Sequence, residues 1–399
     1  MRKYGIAILF ILVVGVIAAI YQIHRPLPAL RQTSLAPAAY RVPGNLNITW
    51  PAQGSAAVAV AGIGVMGSSN ADQVAPLASV AKLMTAYLTL QKHPLGPYSS
   101  GPKVTVTAAD VATYRENVAA HNSVAPVAEG EVITERQLLE ALLLPSGDNI
   151  ATLLARWDAG SVSAFVQEMN ETAKKLGMTH THYADPAGVD PGTAGSALDQ
   201  VKIAEADMAI PAFKGIVAQP QATLPVGGVV YNTDYILGHD GIIGIKTGSM
   251  SQVGANFVFA TEPKVNGKKV LLIGCIMAQH GQQPLMTALH GGAALAAQAA
   301  GNLQQMILVK EGAQVGALSS AWGQTAAIAA TKGVTAIVWP GLTVAETLET
   351  KPLGDSVTAN TETGQLVVKA GGQTATVPVR SVGGITRPSA VWKLERGIL

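Results

Sequence analysis

A hydroxyl and an amine stand three positions apart in Ala78-Ser79-Val80-Ala81-Lys82-Leu83-Met84-Thr85-Ala86. On a helix of about 3.6 residues per turn, positions i and i+3 share a face, so the Lys82 amine can reach the Ser79 oxygen. Serine is a poor nucleophile until a base takes its proton, and a lysine kept neutral by desolvation or by neighbouring cations is such a base. Ser79 could then carry an acyl group. Taken alone, Ser-x-x-Lys equally describes a helix-capping serine followed by a surface lysine, so the rest of the chain has to decide.

Two further segments bear on it. Leu144-Pro145-Ser146-Gly147-Asp148-Asn149-Ile150 sets a second serine on a tight turn between two apolar helical stretches, and Gly244-Ile245-Lys246-Thr247-Gly248-Ser249 sets a cation, hydroxyls and a glycine on a predicted strand. Separately, Ser146 is an ordinary turn serine and Lys246-Thr247-Gly248 an ordinary strand end. In this order, Ser-x-x-Lys, a Ser-x-Asn-like triplet and Lys-Thr-Gly form the active-site set of the penicillin-recognising acyl transferases. With the words around them (Ala78 to Thr85, Leu138 to Ala151, Met169 to Gly188, Gly244 to Ala260), the chain resembles the low-molecular-weight penicillin-binding D-alanyl-D-alanine carboxypeptidases. These serine peptidases trim the peptidoglycan stem peptide. The resemblance runs from Val58 to Ala300, and a weaker similarity to that family's C-terminal β-domain follows.

The resemblance implies roles. Ser79 attacks the penultimate D-alanine carbonyl, Lys82 takes its proton, and Ser146 relays the proton to the leaving amine. The Ser79 and Ser249 amides make the oxyanion hole; Lys246, Thr247 and Ser249 face the terminal carboxylate, and Gly248 leaves room for the substrate backbone along the strand. Asp148 and Asn149 border the substrate. The partners implied are stem peptides ending in D-Ala-D-Ala and β-lactams, with no cofactor and no metal. Two departures stand out. The second motif normally ends in asparagine two residues after its serine, where this chain has Asp148, with Asn149 one place on; a carboxylate close to Lys82 could hold that amine protonated. The family also uses an arginine after the Lys-Thr-Gly strand, yet no arginine occurs between Arg156 and Arg380. Two alternatives follow: a β-lactamase-like hydrolase, for which Glu168-Met169-Asn170 has the wrong spacing, and a wall-binding protein weakened catalytically by Asp148.

Composition and the N-terminus set the compartment. Charged residues make up 13% of the 399 and the net charge is +2, with no basic stripe interleaved with aromatics, so no nucleic-acid partner is indicated. The single Cys275 lies in an apolar run and reads as a core residue. His180 and His182 have metal-like spacing but lack a third ligand nearby, and His239-Asp240 reads as a turn. Arg2 and Lys3 precede an apolar run from Gly5 to Ile20, which predicts a membrane anchor with the rest of the chain outside; a cleaved signal peptide is the competing reading.

The elements that must position these residues follow from pattern. Residues 1–24 form the anchor or signal segment and 25–50, rich in proline, an extended stalk. A catalytic domain over 51–301 opens with a hairpin near Ala56 to Val65 and continues with helices over Ser79 to Gln91, from the Thr134-Glu135-Arg136-Gln137 capping box to Pro145, after Gly147, over Phe165 to Leu176 and over Ser196 to Ala209. Strands over Ile242 to Thr247, Ala255 to Thr261 and Lys269 to Met277 come next, with a hairpin turn at Asn266-Gly267 and a closing helix over Pro284 to Ala300. The predicted class is α+β, an antiparallel sheet flanked by helices with a helical insertion (the penicillin-binding-protein/β-lactamase-like transpeptidase fold), followed by a small all-β domain over 302–399.

Overall fold

The computed structural model describes residues 2–251 and 253–396. They form two compact units, one spanning Asn45–Gln304 and the other combining the segment before it with the segment from Gln305 onward. In the second of these, helix α1 (Arg2–His24) is apolar over Tyr4–His24, 21 residues with a mean hydropathy of 2.8 and no buried share. At ~1.5 Å per residue such a helix is long enough, by length and composition, to cross a bilayer core.

The larger unit is built on five antiparallel strands: β1 (Ser55–Val60), β2 (Gly64–Ser69), β3 (Ile242–Met250), β4 (Gly254–Thr261) and β5 (Leu272–Gln279), in the order β3-β4-β5-β1-β2. Between β2 and β3 the chain makes the helical insertion: α2 (Lys82–Lys92), α3 (Ala108–Ala119), α4 (Glu135–Leu143), α5 (Asp148–Ala159), α6 (Val162–Lys175), α7 (Ala197–Met208) and α8 (Pro211–Val217). Helix α9 (Pro284–Gly301) follows β5. Successive strand residues point to opposite faces, and both faces are covered. Val258, Ala260, Ile273 and Cys275 join one continuous core with Leu83, Met84, Leu142, Leu154 and Ile203 of the insertion. Phe257 and Phe259, on the other face, pack 5.7 Å apart against α9, where Gly292 leaves the Phe257 ring its room. This is the α+β class expected from the sequence.

Helix boundaries follow capping chemistry. The Thr134 hydroxyl accepts the Gln137 amide and the Gln137 side chain accepts the Thr134 amide, which starts α4 at Glu135. Ser161 caps α6 and starts it at Val162, ahead of the expected Phe165. Helix α3, which the apolar pattern did not reveal, is opened by a second box between Thr107 and Asp110. The Asn266-Gly267 turn, with φ of +51° and +79°, is flanked by the short pair Lys264–Val265 and Lys268–Lys269, so the regular strand resumes only at Leu272.

The smaller unit carries a seven-stranded antiparallel sheet in the order 31–34, 314–319, 325–330, 373–381, 362–370, 343–350, 40–41. Its hairpin turns at Gly371 and Gly372, as expected. The expectation of an extended stalk over 25–50 is corrected here. Arg31–Ser34 pairs with one edge of this sheet and Tyr40–Arg41 with the other, while Leu30 and Val42 are buried. In the larger unit the Asn47 amide donates to Asn302 Oδ1 at 3.1 Å and the Thr49 amide to Gln298 Oε1 at 2.6 Å. Open sheet edges present unpaired N–H and C=O groups, so even polar segments too short for periodicity find strand partners there.

Removal of residues 1–28 should therefore leave the melting profile of the soluble remainder unchanged. Removal of 1–44 should lower the β-unit's transition by several degrees, since Leu30 and Val42 together bury apolar surface worth about 3–6 kcal/mol as an upper bound. Calorimetry on both truncations checks this, and identical transitions would show that the two edge strands add nothing.

Candidate active site

Ser79 lies on a 3₁₀ turn, Ala78–Ala81, that runs into α2 at Lys82. The sequence predicts one uninterrupted helix from Ser79; the tighter first turn arises because Ala78 is held at a φ of +48°, a conformation alanine rarely adopts. Three contacts enforce it. Gly188, itself at φ +82°, lies so close that a Cβ on it would come within 1.8 Å of the Ala78 carbonyl oxygen. Asn256 of β4 donates to the Pro76 and Leu77 carbonyls at 3.0 and 2.9 Å while accepting the Ala278 amide at 2.8 Å. On β3, a Cβ at Gly248 would come within 3.0 Å of the Val80 amide and 3.1 Å of the Ser79 amide. This glycine thus has a packing role as well: a side chain there would meet the backbone of the Ser79 turn itself.

Lys82 is fully buried. Its amine lies 2.7 Å from Ser79 Oγ, 2.5 Å from Asp148 Oδ1 and 3.1 Å from the Ala187 carbonyl. Three acceptors match the three donors of an ammonium. Asp148 is the first residue of α5, and its amide donates to the Ser123 carbonyl at 2.8 Å. The displaced Asn149 is turned away. Its side chain accepts the Ala125 amide at 3.0 Å and donates to the Ala125 carbonyl at 2.9 Å, and it is 2% exposed. The expectation that Asn149 touches substrate is replaced by a clamp on the loop through residues 120–125. Ser146, at a φ of +67°, is buried, and its hydroxyl has no hydrogen-bond partner among the described residues.

Lys246 is fully buried on β3 and donates to the Thr247 carbonyl at 3.0 Å. Burial, with Lys82 adding to it, pushes its amine down to about 7, against the opposing pull of Asp148 and Asp234. The Thr247 hydroxyl lies 2.7 Å from that of Thr233. Ser249 is exposed. A cavity of about 380 Å³ brings the first two motifs and the end of the third together, lined by Ser79, His121, Asn122, Asp148, Gly188 and Ser249 among others.

Some of the surroundings escaped sequence reasoning. His121, at φ +57°, and Asn122 follow α3 and enter the wall of the cavity through loop geometry that no periodicity encodes. Thr233 and Asp234 reach the Lys246 strand from an irregular segment; Asp234 is 4% exposed, and burial pushes its carboxyl up to about 6 against the Ile236 amide and Lys246. The remaining candidates lie elsewhere. His180 is exposed and 3.8 Å from Asp72, His182 pairs its backbone with Ala194, and His239-Asp240 forms a turn closed by the Gly238 amide on the Ile242 carbonyl at 2.9 Å. Cys275 is buried on β5, where desolvation raises its thiol strongly.

The family model for D-alanyl-D-alanine carboxypeptidase, peptidase S11, matches residues 52–279. D-alanyl-D-alanine carboxypeptidase DacB2 of Mycobacterium tuberculosis is 36% identical over 46% of this chain and 62% of its own length. A D-alanyl-D-alanine carboxypeptidase of Streptomyces is 33% identical over 50% of this chain and 71% of its own. Among solved structures, the Streptomyces DD-transpeptidase superposes with a TM-score of 0.55 at 26% identity, over 63% of this chain and 99% of its own. The carboxypeptidase DacD of Francisella tularensis reaches 0.61 over 88% and 97%; at 20% identity this likeness speaks for the fold alone. With a family match over more than half its length, on the segment that carries all three motifs, the chain belongs to the peptidase S11 family of D-alanyl-D-alanine carboxypeptidases.

Proposed function

We propose that this protein is an extracytoplasmic serine DD-carboxypeptidase that removes the terminal D-alanine from peptidoglycan stem peptides through an acyl-enzyme on Ser79. The observation that carries the reading is the Lys82 amine, buried and 2.7 Å from the Ser79 hydroxyl, at a cavity that Asp148 and Ser249 also line. Ser79 attacks the penultimate carbonyl while Lys82 accepts its proton. The oxyanion forms against the Ser79 and Ser249 amides, each such donor being worth about 3 kcal/mol. Ser146 passes a proton to the departing amine, D-alanine leaves, and water releases the peptide. Lys246, with Thr247 and Ser249, attracts the terminal carboxylate. Penicillin, which also offers a carboxylate beside a reactive carbonyl, acylates the same serine. Helix α1 holds the enzyme at the membrane, with the basic Arg2 and Lys3 on the inner side.

Ser79→Ala should abolish both labelling by fluorescent penicillin and D-alanine release from a peptide ending in D-Ala-D-Ala. Persistent labelling of that variant would place the nucleophile elsewhere. Lys82→Ala should slow acylation by about 100-fold or more, the range a general base supplies; a loss under about threefold would point to another base.

Asp148 is the one observation that favours a slow enzyme, because its carboxylate engages at 2.5 Å the amine that must take the Ser79 proton. Asp148→Asn should raise the rate of penicillin acylation, measured at one fixed pH; an unchanged rate would remove Asp148 from control of the base.

A further inference from the structure

Lys246 is poorly satisfied for a buried cation. Its nitrogen donates to one acceptor among the described residues, the Thr247 carbonyl, although an ammonium carries three donors and a buried charge is costly unless paired. The charged groups that act on it are Lys82, Asp148 and Asp234. Lys82 repels it; of the two carboxylates that attract it, Asp148 acts more strongly but is engaged by Lys82 at 2.5 Å, and Asp234 is the other.

Asp234 has the complementary deficit. Its Oδ1 accepts the Ile236 amide at 3.3 Å, while its Oδ2 is buried with no hydrogen-bond partner among the described residues. Lys246 is the charged side chain that acts on it. The carboxylate is also fixed in place. The Asp234 amide donates to Asn232 Oδ1 at 2.9 Å, and Asn232 Nδ2 donates to the Val217 and Gln219 carbonyls at 3.2 and 3.0 Å. Thr233 donates its amide to the Leu144 carbonyl at 3.1 Å and shares its hydroxyl with Thr247 at 2.7 Å. The segment is thus stitched to β3 on one side and to the end of α4 on the other.

We infer that Asp234 is a positioning residue for this reaction, holding a proton on Lys246 through space so that a positive charge meets the substrate carboxylate while Asp148 serves Lys82. The inference rests on the proposed role of Lys246 as the group that attracts that carboxylate. Two lysines then share one site with their duties divided by two carboxylates. The sign follows: Lys246 is charged below its pKa, an ionised Asp234 raises that value, and removing the charge lowers it. A turn-forming aspartate with no electrostatic duty would give the same backbone bonds and none of this pH dependence.

The test uses the full chain, unaltered and as Asp234→Asn, which keeps an acceptor for the Ile236 amide. Acylation rates are followed from pH 5.5 to 9.5 with benzylpenicillin, which carries a carboxylate, and with a neutral thioester, which does not. The alkaline limb with penicillin should move down by about one pH unit, an approximately tenfold loss on the falling limb, with the thioester profile unmoved. Equal shifts for both acyl donors, or no shift with penicillin, would overturn the inference. An independent readout needs neither activity nor a variant: the ¹⁵Nζ resonance of Lys246 in the unaltered protein should show a second inflection as Asp234 titrates. A single inflection overturns the inference even where penicillin still labels Ser79. Failure of penicillin to label Ser79, with both inflections present, overturns the enzyme reading and leaves the Asp234–Lys246 coupling standing.

Discussion

Two lysines buried within reach of each other's charge, in a site shielded from water, are the constraint around which the larger unit is arranged. Each amine loses its hydration on burial, and each repels the other. Lys82 recovers the loss through Ser79, Asp148 and the Ala187 carbonyl, a full set of acceptors; Lys246 recovers only part of it, which is why its amine falls to about 7. The two amines therefore meet different surroundings: the proposed base holds the full set of acceptors and the proposed cation an incomplete one. Asp148 at the start of α5 and Asp234 on the segment before β3 are the two carboxylates whose charge acts on Lys246.

Such electrostatics act only if the atoms stay in place, and the backbone supplies that rigidity. The positive φ at Ala78 costs on the order of 1–3 kcal/mol and persists because Gly188, Gly248 and Asn256 leave the turn no alternative. Each clamp comes from a distant part of the chain: Gly188 follows α6, Gly248 sits on β3 and Asn256 on β4. The Ser79 turn is therefore assembled last in logical order, after sheet and insertion have met. Isolated from them, Ala78-Ser79-Val80-Ala81 has no reason to hold this shape.

Legibility in the sequence followed the range of the interactions. The Thr134 capping box, the Pro145 stop, the strands around Lys246 and the helix from Pro284 are set by neighbours a few residues apart, and they could be read directly. Ser79 with Lys82 was legible for the same reason. What stayed hidden depends on partners far along the chain. The short strands at 31–34 and 40–41 exist because a sheet edge waits for them, and their composition reads as linker. Asp234 and His121 sit on irregular segments held by long-range bonds, Thr233 donating its amide to the Leu144 carbonyl and Asp148 its amide to the Ser123 carbonyl. Asn149 carries the amide that the motif resembles, yet the Ala125 backbone claims it, and only the structure decides between adjacent residues of one turn.

The cost of a buried Lys246 also ties stability to function through pH. Its amine sits near 7 in the folded protein and at 10.5 in the unfolded chain, so between those values the unfolded state holds the proton that the native state has released. Unfolding then takes up protons, and stability from this group rises as pH climbs from 7 to 10.5. Below 7 the native state carries the full penalty of the buried charge, and in the proposed reading that is also where Lys246 would draw in a carboxylate. A substrate carboxylate would then offset the penalty at the donors that the Thr247 carbonyl leaves unsatisfied, so the same burial that costs stability would favour binding.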